Sequence, residues 1–486
     1  MANPDKNEKL LKTLDEKTIK TEKIKQYERE EKRKEDFRKG VDAASTEVVK
    51  FGDKVKRFFS KKRNVVLFII GCLAFIGGLA ALAILTTNGK IFSSSNNGGA
   101  VDESQTAQKV EKFYDNLTGE LISYSGVQYN TDGTEKMNDN GERDYLTEMQ
   151  AKQMANNLNA RRINCVQIPN GTDARPQVGL TEAKIVYEAI AEGGITRFAA
   201  IYRDATSDVI GPVRSLRTYY LEWDIPYNCT IIHAGGEAVA LERVRGYDHL
   251  SESSTYMWRD HSAYYAPNNL FTSSELLNNF NNDNNFSESK PKTFARMTPE
   301  KADSERKKII ETQAEQKERA EKGLPENEDL PKYVYANQIY VHITASPYYN
   351  VSYTYDAETN SYKRFYEAGN EPHLVYLCKG LDKSGNKIAP TKDCATAHVS
   401  PKVVVVIKVP EQLNQDNLYR EDIKTSGSGD AWVFENGIVI EATWEKADDN
   451  AQISFKERDS GKELKLAPGQ TFITAVAESY GYTNWQ

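Results

Sequence analysis

The residues best suited to binding or chemistry lie where predicted strands pass into predicted helices. In GPVRSLRTYY (211–220), two arginines and a serine follow a strand and a Gly-Pro turn, and in CTIIHAGG (229–236) a strand leads into a histidine and two glycines. Free backbone N–H groups at a helix start favour an anion, and arginine has forked donors that fit carboxylate or phosphate. We therefore expect an anion-binding cleft at this edge of an α/β sheet. The candidate binding residues are Arg175, Arg197, Arg214, Ser215, Arg217, His233, Gly235 and Gly236.

The same residues also have a purely structural interpretation. Glycines at strand–helix junctions are explained by turn geometry alone. The arginines can pair with Glu188 and Glu192 as internal clamps of the fold. The sequence leaves both interpretations open.

A catalytic role would use Glu188, Glu192 or His233 as general acid or base, as in a hydrolase that acts on an envelope glycan or phosphodiester. The sequence has no GxSxG, HExxH or Walker motif, and its histidines lack metal-ligand spacing. We therefore predict no cofactor and no metal, and whether the protein is an enzyme stays open. The hydrolase is the alternative to a binding module.

The periodicity of the first half predicts strands that alternate with helices. Strands are expected at 163–168, 195–202 and 229–236. Helices are expected at 181–192, with Thr181 as N-cap, and after Ser215, which would cap the next helix. This alternation predicts an α/β domain with a mixed sheet and flanking helices.

The second half of the sequence has a different pattern of residues. Residues 278–332 begin rich in asparagine and continue as a charged helical run, which predicts a surface insertion. This arm is the basis of a third hypothesis, a scaffold for a protein partner. Strand patterns then return, with Asn436-Gly437 as a hairpin turn, and predict a smaller β-rich C-terminal domain.

The cysteines are scattered. Cys378 and Cys394 bracket a loop, and outside the cell we expect them to form a disulfide. Cys165 and Cys229 fall in predicted core strands, where we expect buried, inert thiols.

An uncharged apolar run, VVLFIIGCLAFIGGLAALAIL (65–85), is long enough to cross a bilayer as a helix. Residues 1–63 contain 20 Lys and Arg against 13 Asp and Glu, whereas residues 64–486 carry a net charge of −14. This asymmetry predicts a cytoplasmic N-terminus, a single-pass membrane protein and an extracytoplasmic C-terminal part. It argues against a nucleic-acid partner. A lipidated Cys72 in IIGC is a less favoured alternative, because the apolar run before it is short.

The expected divisions follow from these features. They are a charged cytoplasmic tail with an amphipathic juxtamembrane helix (1–63), a transmembrane helix (65–85), a linker (86–113), an α/β domain (114–277), the charged insertion (278–332) and the β-rich domain (333–486).

Several longer motifs occur in order and resemble the YerB-like bacterial lipoprotein family, also called domain of unknown function 3048. They are NLTG (116–119), ARPQVGL (174–180), VYEAIAEGGITRF (186–198), IGPVRSLRTYY (210–220), HAGG (233–236), APNNLFTS (266–273), IKTSGSGDAWVFENGIVIEATW (423–444) and LKLAPGQTFI (464–473). One departure is Asn268, because the family usually has histidine there. The resemblance implies a membrane-tethered extracytoplasmic protein with an α/β first domain and a β-rich second domain, and it implies no particular reaction.

Taken together, these features predict a cell-envelope binding module for an anionic wall component, such as a peptidoglycan stem carboxylate or a polymer phosphate.

Overall fold

In the computed structural model, strands from both halves of the sequence lie side by side in one sheet. The structure describes residues 110–486 except 132, 139–140, 262–263, 380–393, 416 and 418. The predicted tail and transmembrane helix, and all of the linker before residue 110, lie outside the described residues. Within the described residues, no helix is long and apolar enough to span a bilayer.

The first part of the chain contains both strands and helices. Its strands are β1 Lys112–Tyr114, β2 Leu121–Tyr124, β3 Gly126–Val127, β4 Tyr145–Leu146, β5 Asn164–Pro169, β6 Ile185–Glu192, β7 Ile195–Tyr202, β8 Thr230–Ile232, β9 His249–Leu250, β10 Trp258–Arg259 and β11 Leu270–Phe271. Its α-helices are α1 Glu148–Ala160, α2 Thr218–Asp224, α3 Ala238–Val244, α4 Ser274–Asp283 and α5 Pro299–Glu321. Short 3₁₀ turns cover Thr172–Ala174, Leu180–Glu182 and Ile225–Tyr227.

The described residues after α5 are rich in β-structure, as predicted. Their strands are β12 Val334–Tyr335, β13 Gln338–His342, β14 Val351–Asp356, β15 Ser361–Tyr366, β16 Glu371–Pro372, β17 Leu374–Leu377, β18 Ala395–His398, β19 Val403–Val409, β20 Glu411–Leu413, β21 Glu421–Ile423, β22 Gly427–Glu435, β23 Ile438–Lys446, β24 Ser454–Glu457, β25 Thr471–Ala477 and β26 Tyr482–Trp485. A 3₁₀ turn covers Ala368–Asn370.

The largest sheet of the described residues is mixed, which confirms the predicted sheet type. Its order is β12-β23-β22-β19-β25-β6-β7-β5-β8-β9, with β24 paired to β23. At its centre β25 pairs in parallel with both β19 and β6, while β7 is antiparallel to β6 and β5. The sheet therefore joins strands from both halves of the sequence.

Both faces of this sheet are covered. On one face, α2 packs against β6, where the rings of Tyr187 and Trp223 stack at 5.3 Å. On the other face, α4 lies over β5 and β7. A second sheet, of order β16-β15-β14-β13-β26, also packs there, against β19 and β25. The helices thus flank a sheet whose central strands are buried on both sides.

The hairpin of β22 and β23 has the predicted turn. Asn436 and Gly437 both have positive φ, 54° and 79°, and Glu435 pairs with Ile438. Two central residues with positive φ match the twist of antiparallel strands.

The helix predicted at 181–192 is wrong. Residues Ile185–Glu192 form strand β6, and Thr181 lies in a short 3₁₀ turn instead of capping a helix. Seven of the eight residues of β6 are buried, because both faces of the sheet are covered. A short continuous apolar run of this kind cannot be distinguished from a buried helix by periodicity. The Ser215 cap is also wrong, since α2 begins at Thr218 with Arg217 at the N-cap position.

The expectation for Cys165 and Cys229 is corrected as well. The two residues form a disulfide with a Cα–Cα distance of 6.0 Å. The reason is topological, because β5 and β8 are parallel neighbours and bring the two positions together. The predicted bond between Cys378 and Cys394 is present in the structure.

The charged run in the predicted insertion is helical, as expected. Helix α5 begins after Thr298, whose side chain accepts a hydrogen bond from the Lys301 amide. Its buried residues are Ala302, Ile309 and Thr312, so most of its surface faces solvent.

A buried carboxyl at the end of β22 gives a test of the fold. Glu435 is 2% exposed and accepts the Ala467 N–H at 2.8 Å. Burial raises its pKa to about 7, although the Ala467 N–H and Arg296 oppose the rise. The folded protein therefore keeps this proton after the unfolded chain has lost it, and the corresponding stability disappears as pH rises from about 4.5 to about 7.

We predict that Glu435→Gln removes this pH dependence. The variant should gain on the order of 2–3 kcal/mol of unfolding free energy over the wild type at pH 8, and less at pH 4.5. Urea unfolding from pH 4.5 to pH 8 measures this difference in unfolding free energy between the wild type and the variant. Glu463→Gln, which changes an exposed carboxylate, is the control. An equal pH dependence in wild type and Glu435→Gln would contradict the assignment.

Candidate functional site

Four loops that carry the sequence motifs converge at the carboxyl ends of β5 and β8. We call residues 174–180, 210–217, 233–236 and 266–273 the motif loops. Val178 N–H donates to the Gly211 carbonyl at 2.8 Å, and Ile210 N–H donates to the Thr272 carbonyl at 2.7 Å. Arg214 N–H donates to the Gln167 carbonyl on β5 at 2.8 Å. The backbone thus fixes the motif loops on one edge of the main sheet.

Two of the predicted arginines are internal clamps. Glu192 accepts a hydrogen bond from Arg197 at 2.8 Å through one carboxylate oxygen and from Arg217 through the other. Burial alone would raise the pKa of Glu192, but the two guanidinium groups outweigh it and lower that pKa. Arg197 also donates to the Ser215 carbonyl at 2.6 Å, which is the role of Ser215 here.

Arg214 differs from these two arginines. Its side chain is half-buried, and within the described part of the chain it forms no side-chain hydrogen bond and no ion pair within 4.0 Å. Its Nε atom is buried without an acceptor. Burial, with the nearby Arg197 and Arg217, lowers the pKa of Arg214, while the charges of Glu192 and Asp173 act in the opposite direction. Arg214 is thus a cation whose hydrogen-bonding capacity the described residues leave unused.

Arg175 is used inside the protein. Its Nε donates to both oxygens of Asn170 at 3.1 Å, and its Nη2 donates to the Tyr348 carbonyl at 2.9 Å. Its guanidinium lies 3.6 Å from the centre of the Tyr366 ring. These contacts explain its position without a ligand.

The second predicted junction is also occupied by contacts within the chain. His233 is 1% exposed, and its Nδ1–H donates to the Gly235 carbonyl at 2.9 Å. Burial lowers its pKa to about 4, so the ring is neutral at pH 7. Gly235 has a φ of +68°, which places it in the left-handed region, and Gly236 pairs with Leu216. These residues shape the loop and offer no charge to an anion.

The start of α2 holds a carboxylate from the protein itself. Glu237 accepts the Thr218 N–H at 2.6 Å and also its hydroxyl. The position where the sequence predicts an external anion is therefore filled by Glu237.

The catalytic candidates are not arranged as an acid–base pair. Glu188 is 1% exposed and bonds Arg364 at 2.7 Å, Thr196 at 2.9 Å and Asn170 at 3.2 Å. Glu192 is held by two arginines, and His233 is neutral and buried. Carboxylates engaged in this way count against the hydrolase hypothesis.

Sequence reasoning missed the residues that surround Glu188. Arg364 donates to Nδ1 of His373, so the His373 Nε2–H donates to the Gln177 side chain, at 2.9 Å. Burial and the adjacent Arg364 and Arg175 lower the pKa of His373 well below its ordinary value. The ARPQ motif contains Gln177 and could have indicated its role, whereas no sequence motif around Arg364 or His373 predicts that they lie beside Glu188.

Asn268, in the 266–273 motif loop, is 6% exposed and donates to Asp173 at 2.7 Å. Its Oδ1 has no partner in the described part of the chain. It therefore fixes a carboxylate whose charge acts on Arg214.

Comparison with known proteins gives the family. The N-terminal domain model of DUF3048, a protein family of unknown function, matches residues 146–287, and its C-terminal domain model matches residues 339–473. Together they cover more than half of the chain, which therefore belongs to this family, as the motifs predicted.

A relative in Bacillus subtilis (strain 168), described as "Putative lipoprotein YerB", is 26% identical over 327 residues. The match covers 65% of this chain and 82% of that protein. The crystal structure of YerB protein from Bacillus subtilis is similar with a TM-score of 0.49 and 22% identity, and the match covers 67% of this chain and 94% of that chain.

The different environments of Glu192 and Arg214 lead to opposite predictions for stability. Glu192→Gln leaves Arg197 and Arg217 facing each other and should lower the unfolding free energy by about 1–3 kcal/mol. Arg214→Gln removes a cation that has no partner among the described residues and lies near Arg197 and Arg217, so it should leave the unfolding free energy unchanged or slightly higher. Urea unfolding measures both, and a large loss for Arg214→Gln would show that Arg214 is a structural clamp.

Proposed function

We propose that this protein is anchored in the bacterial membrane and binds an anionic component of the cell envelope, either a peptidoglycan stem carboxylate or a polymer phosphate. The observation that carries the proposal is Arg214, whose side chain has no hydrogen-bond or ion-pair partner among the described residues. A partly desolvated charge without a partner is unfavourable, and a bound anion would remove that penalty through charge-assisted hydrogen bonds. Arg197 and Arg217 also favour a bound anion. Their two positive charges share the single carboxylate of Glu192, so a net positive charge remains beside Arg214.

The proposed location rests on the sequence and on the relative. The relative's name describes a lipoprotein. In this chain the apolar run 65–85 follows a strongly basic segment, and a spanning helix would serve as the anchor with residues after it outside the cytoplasm. The two disulfides fit an oxidising compartment.

Binding of the full chain, in nonionic detergent, to two purified probes tests the proposal. One probe is a phosphate-bearing wall polymer and the other is a peptidoglycan fragment with free stem carboxylates. We expect saturable binding of one probe that weakens with salt and falls about tenfold or more in Arg214→Gln. Preference for one probe identifies the anion as phosphate or carboxylate.

A matched control distinguishes loss of the Arg214 side chain from a general loss of one positive charge. Arg143→Gln removes the same charge from an exposed arginine on a different loop and should change the affinity less than twofold. Equal binding by Arg214→Gln and the wild type, or no binding of either probe, would refute the proposal.

A further inference from the structure

An exposed carboxylate lies near Arg214. Asp173 is in the 3₁₀ turn Thr172–Ala174, and it forms no ion pair within 4.0 Å among the described residues. One of its oxygens accepts the Asn268 side-chain N–H at 2.7 Å. Arg175, two residues further along the chain, donates to Asn170 and Tyr348 instead. A carboxylate can accept several hydrogen bonds, so Asp173 keeps acceptors that a ligand can use.

Arg214 and Asp173 lie near each other without forming a pair. The charge of Asp173 opposes the lowering of the Arg214 pKa, yet no ion pair within 4.0 Å joins the two groups. The Arg214 backbone is fixed on both sides, because its N–H donates to the Gln167 carbonyl at 2.8 Å and its carbonyl accepts the Ala234 N–H at 3.0 Å. Asn268 holds Asp173 in the same way from another loop. The fold thus keeps two opposite charges apart.

The position of Asp173 affects which anions the site can accept. A ligand with only negative charge is attracted by Arg214 and repelled by Asp173. A ligand that also carries a positive charge is attracted by both side chains. A repulsive group beside an attractive one is a common basis of specificity, since it weakens the binding of the wrong ligand.

We infer that the ligand of the Arg214 loop is zwitterionic, with a primary ammonium group close to its carboxylate or phosphate. Arg214 binds the anionic group, and Asp173, positioned by Asn268, accepts hydrogen bonds from the ammonium group. This inference rests on the proposed anion site and adds the second charge to it. A stem amino acid with a free amine beside its carboxylate has this chemistry, and so has a phosphate polymer that carries aminoacyl groups.

N-acetylation of the ligand tests the inference, because it removes the ammonium charge and leaves the anionic group in place. One probe is a diaminopimelate-containing peptidoglycan fragment, and the other is a phosphodiester-linked wall polymer that carries alanyl esters. The full chain in nonionic detergent is titrated with each probe before and after acetylation. We expect about three- to tenfold tighter binding of the unacetylated form of one probe. The probe that shows this preference identifies the source of the zwitterion.

Asp173→Asn gives the contrasting result. The amide oxygen can still accept the Asn268 N–H, but the negative charge is lost. The variant should therefore bind both forms of the probe equally, and it should bind the acetylated form at least as tightly as the wild type does. Retained binding of the acetylated form also shows that the variant is folded. Asp459→Asn removes an exposed carboxylate from a turn after β24 and should keep the wild-type preference.

The possible failures separate this inference from the proposed function. Absence of binding by every probe would overturn both. Binding that falls in Arg214→Gln but is the same before and after acetylation would overturn the zwitterion alone, and this comparison on the wild type needs no Asp173 variant. A preference for the unacetylated form that persists in Asp173→Asn would also overturn it.

Discussion

The buried ion pair between Glu188 and Arg364 is the interaction on which the arrangement of the two sheets depends. Its side chains are 1% and 0% exposed, and it joins β6 of the main sheet to β15 of the second sheet at 2.7 Å. A charge at this depth is tolerated only when it is paired and hydrogen-bonded. Arg364 also donates to the Tyr353 hydroxyl at 3.2 Å and to His373, while Thr196 and Asn170 donate to Glu188. The sheets therefore cannot shift against each other without exposing or orphaning a charge.

The same network positions the loops of the candidate anion site. Asn170 is fully buried, and its Oδ1 accepts hydrogen bonds from Arg175, Gln177 and Tyr366. Gln177 is therefore held between Asn170 and His373, and Val178, next to it, pairs with Gly211 at the start of the Arg214 loop. Arg175, a predicted ligand-binding residue, is thus part of the support. Arg214 is the arginine of the loop that the support leaves without a partner.

The sequence predicts local structure better than the pairing of distant side chains. Strands β5 and β7 and the Asn436-Gly437 hairpin follow from short-range patterns and turn chemistry, and they occur as predicted. The sequence pattern of β6 predicts a helix, because burial on both faces removes the alternation of apolar and polar residues that is typical of a strand. The disulfide of Cys165 depends on β5 and β8 becoming neighbours, which periodicity does not reveal.

The candidate site shows the same limit. The GPVRS motif marks the right loop, but which arginine is free depends on Glu192, which bridges Arg197 and Arg217. Arg364 lies 176 residues from Glu188, so no local pattern predicts that pair. Residue types and motifs indicate which loop could bind a ligand. The contacts that each side chain makes in the folded protein decide which of its groups can still do so.

A double-mutant cycle on Glu188 and Arg364 tests the central claim most directly. Urea unfolding of the full chain, followed by the fluorescence of buried tryptophans, would compare Glu188→Gln, Arg364→Met and the double variant. Each single change should lower the unfolding free energy by about 3–5 kcal/mol, and the double variant should lose clearly less than the sum, because neither charge is then left unpaired. Losses that add, or single losses below about 1 kcal/mol, would contradict the role assigned to this pair.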